Sequence, residues 1–120
     1  MSDLRPRILV TEDEALVCMF LEDVLDSLGC EVVGPAMTAE EAELLAANER
    51  LDFAVLDVNL GRRTSFGVAE ILRERGVPFA FITGYGKEGV RKDLQFAPTL
   101  QKPIDIGKLE QTLRDHAGLV

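Results

Sequence analysis

Asp57 ends the apolar run Phe53-Ala54-Val55-Leu56, and Glu12 and Asp13 end another, Ile8-Leu9-Val10-Thr11. Thr83 closes a similar run at 79–83, and Lys102, ahead of Pro103, follows a short segment at 98–101. Brought into one pocket, three carboxylates about 4 Å apart would repel by about 4 kcal/mol per pair at an effective dielectric near 20. Such a cluster persists by keeping one member protonated or by binding cations. Lys102 supplies one positive charge. A small hard divalent ion would supply the rest, and Mg²⁺, which takes oxygen ligands and retains waters, suits a half-open carboxylate site. Thr83 adds a hydroxyl donor, and the loop amides after Asp57 add more. Together these groups can stabilise the oxygens of a transferring phosphoryl group, with a carboxylate as nucleophile.

The elements that must position them are legible as an alternation. Residues 7–11 read as a strand rich in aliphatic side chains. Ala15, Cys18, Leu21, Val24, Leu25 and Leu28 then recur at helical steps, and Gly29 is placed to end that helix in the left-handed conformation. Residues 30–33 read as a second strand, stopped by Gly34-Pro35. Thr38 and Glu41 form a capping box that opens a helix through Ala42, Leu45 and Ala46. Residues 53–57 are the third strand, and a loop with Gly61, Arg62 and Arg63 leads to a helix over 66–75 that Gly76-Val77-Pro78 breaks. Residues 79–83 are the fourth strand. Gly84, Gly86 and Gly89 crowd the next segment, so a helix between Lys87 and Leu94 should be short and poorly held. After the fifth strand at 98–101, Asp105 can cap a last helix whose Ile106, Leu109 and Leu113 share a face.

Five strand-then-helix units predict an α/β fold: a five-stranded parallel sheet, right-handed crossovers and helices on both faces. In such sheets the ligand site lies outside the carboxyl ends of the strands. Glu12, Asp13, Asp57, Thr83 and Lys102 all fall there, so they should converge.

The 120 residues suit one domain, and 47% hydrophobic content is enough for a core. A net charge of −8 argues against a nucleic-acid or anionic-membrane surface. No apolar run approaches the roughly 20 residues that span a bilayer, and the first residues lack the apolar stretch of a signal peptide, so a cytoplasmic location is expected. Cys18 and Cys30 lack CxxC spacing and read as reduced thiols among core residues. His116 reads as a solvated or half-packed residue of the last helix.

Glu12-Asp13, Asp57, Thr83 and Lys102-Pro103, spaced along a five-fold alternating chain, resemble the receiver domain of two-component response regulators over essentially the whole sequence. The resemblance implies a flavodoxin-like (βα)5 fold with a shortened fourth helix, as a stand-alone receiver without an output domain. It implies that Asp57 accepts a phosphoryl group from a phosphohistidine on a histidine kinase or phosphotransfer protein, and that the chain signals through protein contacts with an unidentified target. Asp13, Asp57 and the backbone carbonyl of Asn59 would hold Mg²⁺, Glu12 would assist through water, and Lys102 and Thr83 would contact the phosphoryl oxygens. A cis Lys102-Pro103 bond is implied as well. One departure stands out. Receivers usually carry a Tyr or Phe three residues before the lysine, where this chain has Thr99. Phe81-Ile82-Thr83-Gly84-Tyr85 is similar to a variant subgroup with a Phe-Ala-Thr-Gly motif, which also lacks that ring. The expected switch is therefore an ordering of residues 84–94 about Gly84 and Gly86.

Three other readings compete. An aspartyl-nucleophile phosphohydrolase uses the same carboxylate logic, but no acid stands two residues past Asp57, where Asn59 sits. A flavodoxin-like cofactor carrier needs a phosphate-cradling loop after the first strand, where Thr11-Glu12-Asp13-Glu14 would repel the flavin phosphate. A docking module that works without phosphate leaves the intact acid-lysine set unexplained.

Overall fold

The pleat of the strands divides the molecule into two cores. In the structure, a computed structural model that describes residues 5–119, strands β1 (Arg7–Thr11), β2 (Glu31–Ala36), β3 (Phe53–Asp57), β6 (Phe79–Thr83) and β7 (Thr99–Gln101) pair in parallel in the order β2-β1-β3-β6-β7. Leu9, Ala54, Leu56 and Phe81 project to one face and meet α2 (Ala39–Asn48) and α3 (Phe66–Arg75) through Ala42, Ala46, Val68 and Leu72. Ile8, Val10, Phe53, Val55 and Ile82 project to the other and meet α1 (Ala15–Ser27) and α4 (Ile106–His116) through Leu21, Leu25, Leu109 and Leu113. Central strands covered on both faces are why β3 and β6 are apolar without alternation.

The caps follow the sequence closely. Thr38 Oγ1 accepts from Glu41 N at 3.2 Å, and the Glu41 carboxylate accepts in return from Met37 N at 3.0 Å. Asp105 Oδ1 accepts from Lys108 N at 3.0 Å, and Gly29 has φ +84 just past α1. Cys18 and Cys30 are buried free thiols. His116 is exposed, with its ring stacked 6.3 Å from that of Phe53.

Three features depart from expectation. Strand β2 does not stop at Gly34-Pro35 but continues to Ala36. Gly34 has φ +95, and a Cβ there would lie 2.7 Å from Ala36 N and 3.2 Å from Val10 O, so its bare backbone lets the chain press against β1. The register shifts between Leu9 and Thr11, and Glu12 N then donates to Ala36 O at 3.0 Å. The 58–65 loop holds a small hairpin, β4 (Asn59–Leu60) against β5 (Arg63–Thr64). Between β6 and β7 no α-helix forms: two 3₁₀ turns, Gly86–Gly89 and Lys92–Leu94, replace it. That segment is short, as expected, but its second half is well held. Val90 and Leu94 are buried, and Arg91 bonds Glu70 at 2.7 Å and Asp93 at 2.6 Å.

Candidate phosphoryl-acceptor site

Each candidate residue sits where a strand ends. Glu12 and Asp13 follow β1, Asp57 ends β3 and Thr83 ends β6, while Lys102 follows β7 and donates its backbone N–H to Thr83 O at 2.9 Å. The Lys102-Pro103 bond is cis, as the resemblance implied. From there the Lys102 ammonium reaches inward. Its Nζ lies 3.3 Å from Asp57 Oδ2, 3.4 Å from Glu12 Oε1 and 3.3 Å from Glu14 Oε1.

Glu12 is fully buried and Asp57 is 6% exposed. Glu12 Oε2 accepts from Glu14 N at 3.0 Å, whereas Oε1 has ion-pair proximity to Lys102 but no hydrogen bond. Burial, reinforced by Asp57, pushes the Glu12 carboxyl up to about 7, although the Glu14 N–H and Lys102 pull it down. For Lys102, burial opposes the charged form, but the nearby Asp57 and Glu12 outweigh it and raise the ammonium above its ordinary value. The site is thus short of positive charge.

Among the described residues Glu12, Asp13 and Asp57 each offer an oxygen within 4.8 Å of the others. Ligands on opposite sides of an octahedral Mg²⁺ stand about 4.2 Å apart, given bonds of about 2.1 Å. The three oxygens would have to draw together from their present spacing to bind such an ion, and Glu12 Oε1, 3.4 Å from Lys102 Nζ, has no hydrogen bond of its own. These residues fit a small divalent cation. Asp13 is exposed, and its Oδ2 accepts from Gly61 N at 2.9 Å. Asn59, the first residue of β4, lines the same cleft of about 320 Å³ with Asp13, Asp57, Thr83 and Lys102.

Thr83 is 4% exposed, and its Oγ1 accepts from Tyr85 N at 3.0 Å. Thr99 pairs with Phe81 across β6 and β7, and its Oγ1 is buried without a hydrogen bond. Glu14, Gly61 and Tyr85 were not singled out as cleft residues from the sequence. Glu14 reads there as one more acid at a helix start. Gly61 matters through its amide, which no side-chain pattern announces.

The response regulator receiver domain family matches residues 8–114. PdtaR of Mycobacterium tuberculosis, a transcriptional regulatory protein, is 34% identical over 107 residues, covering 86% of this chain and 52% of that protein. SdrG of Sphingomonas melonis superposes with a TM-score of 0.81 at 39% identity, over 95% of this chain and 97% of that one. The receiver domain of the sensor kinase PA1611 of Pseudomonas aeruginosa, whose structure holds a magnesium ion in its active-site cleft, gives 0.83 at 25% identity over 95% and 98%. The chain thus belongs to the response regulator receiver family, the phosphorelay signalling domains of two-component systems. It spans about half the length of PdtaR. Among the described residues no helix is long and apolar enough to cross a membrane.

Proposed function

We propose that Asp57 accepts a phosphoryl group from a phosphohistidine on a kinase or phosphotransfer protein, in a cleft that holds Mg²⁺. The observation that carries this is the Lys102 ammonium 3.3 Å from Asp57 Oδ2, inside an acid cluster that opens to solvent. An Asp57 oxygen attacks phosphorus, the P–N bond breaks, and the imidazole leaves with the bonding pair and regains a proton. Glu12, Asp13, Asp57 and the Asn59 carbonyl are the groups assigned to the ion, which when bound supplies charge neutralisation for the phosphoryl oxygens. Lys102 and Thr83 are assigned to those same oxygens. Beside the cleft, Leu16, Val17, Phe20, Pro103 and Ile104 line an apolar groove of about 300 Å³ that also touches Lys102. We assign this groove to the partner that carries the phosphohistidine, because it adjoins the Asp57 cleft through the shared Lys102.

The chemistry is tested on the unaltered protein. Incubated with acetyl phosphate and Mg²⁺, it should acquire a protein-bound, hydroxylamine-labile phosphate in the 53–57 peptide. Steady release of inorganic phosphate from many phosphomonoesters, with no bound label, would favour the phosphohydrolase reading.

The switch is assigned to Thr83. Turning its hydroxyl toward a phosphoryl oxygen withdraws the acceptor from Tyr85 N. Gly89 lies beside that hydroxyl, since a Cβ there would stand 3.2 Å from Thr83 Oγ1. Because Val90 and Leu94 are anchored in the core, the segment free to respond is 84–89, narrower than the 84–94 of the sequence reading. Amide exchange with beryllofluoride and Mg²⁺ should therefore change at 85–89 and stay constant at 90–94. Identical exchange across 84–89 with and without the mimic would end this assignment.

A further inference from the structure

Asp13 stands at the exposed rim of the cleft, yet its carboxylate has a fixed partner in the Gly61 N–H. Gly61 belongs to the turn of the β4–β5 hairpin, whose ladder pairs Leu60 with Arg63 and Asn59 with Thr64. Two residues per strand cannot hold such a hairpin in place by themselves. Buried Val58 and Leu60 and the Ser65 N–H bond to Val58 O at 2.9 Å hold its base, and Arg63 adds a link to α2, donating to Glu40 Oε1 at 2.8 Å and to Glu43 Oε2 at 2.7 Å. The two acids are three residues apart on the helix, so one guanidinium fork engages both. Glu43 lies close over Gly67, where a Cβ would stand 2.9 Å from its Oε2. A continuous path of short contacts thus runs from α2 through Arg63 and the hairpin to the Asp13 carboxylate.

We propose that Arg63 is a positioning residue for Asp13: by clamping the hairpin to Glu40 and Glu43, it fixes the Gly61 amide that aims Asp13 into the cation cluster. Its effect on cation binding rests on the Mg²⁺ reading above, whereas its effect on the hairpin does not. A purely electrostatic role has the opposite sign, because deleting a cation near an acidic site strengthens Mg²⁺ binding.

Arg63→Gln tests it. In metal-free protein the Gly61 amide should exchange about tenfold faster, while core amides of β3 and β6 stay unchanged. In a titration with MgCl2, affinity should fall about tenfold, at the low end of what outer-shell partners of metal ligands cost. The unfolding midpoint should hardly move, since exposed ion pairs contribute little. Arg63→Lys keeps the charge but loses the fork, and should weaken Mg²⁺ in the same direction. Glu40→Gln with Glu43→Gln removes the other half of the clamp and should also release the Gly61 amide. Unchanged Gly61 exchange in Arg63→Gln overturns the proposal, as does Mg²⁺ affinity equal to or tighter than wild type. Should the wild type bind no Mg²⁺, the functional reading fails, and Gly61 exchange still decides the clamp.

Discussion

Asp57→Asn protein, treated with acetyl phosphate and Mg²⁺, is expected to hold no bound phosphate above background where the wild type is labelled. The amide has nearly the shape of the carboxylate, so the 6%-exposed site at the end of β3 should still form. It lacks the anionic oxygen that attacks phosphorus, and no adjustment of neighbours restores one. It also removes one negative charge beside the buried Glu12, so the metal-free fold should be no less stable than wild type. Labelling of Asp57→Asn equal to wild type would move the acceptor to another carboxylate. Loss of label together with loss of the folded state would be uninformative, which is why the unfolding midpoint is measured alongside.

Lys102→Ala carries the second large effect, and it separates metal binding from signalling. Its ammonium neutralises Asp57, Glu12 and Glu14 from within 3.4 Å of each. Removing it leaves buried acids without a counter-charge. Breaking a fully buried pair costs about 3–5 kcal/mol, and the partial exposure of this lysine places the expected loss nearer 1–3 kcal/mol. Mg²⁺ then faces no competing cation, so its affinity should hold or rise, and added Mg²⁺ should raise the unfolding midpoint more than in wild type. Phosphoryl transfer to Asp57 should persist weakly, while the exchange response at 84–89 is lost. Weaker Mg²⁺ binding in this variant would contradict the role given to the lysine.

What could be read in the chain, and what could not, divides along a physical line. Apolar runs ending in Asp13, Asp57 and Thr83 report burial and strand ends directly, because parallel strands must be apolar on both faces. Thr38 with Glu41, and Asp105, announce helix starts through side-chain oxygens that bond the first turn. Gly34-Pro35 misled because glycine and proline usually stop a strand, while here the glycine lets β2 approach β1 and the pairing resumes at Ala36. Glycines at 84, 86 and 89 pointed to a short, weak helix where two 3₁₀ turns stand instead, and they hid the anchors. Val90 and Leu94 are two lone aliphatics whose burial depends on α3 and on the sheet face, not on any local period. The links of Lys102 to Glu14 and of Arg63 to Glu40 join residues far apart in the chain, and no spacing rule predicts them.

If Thr83 is the switch proposed above, its contact with the Tyr85 amide bears on how sharply the protein could signal. A neutral bond of that kind contributes about 0.5–1.5 kcal/mol. Were that bond the whole difference between two states, about a tenth or more of the unmodified molecules would already be released at any moment. Phosphate would then amplify an existing minority instead of creating a new shape, and the gain between resting and stimulated output would be about tenfold at most. Under that proposal some background output would persist without phosphate, and its level should follow the strength of that one hydroxyl–amide contact.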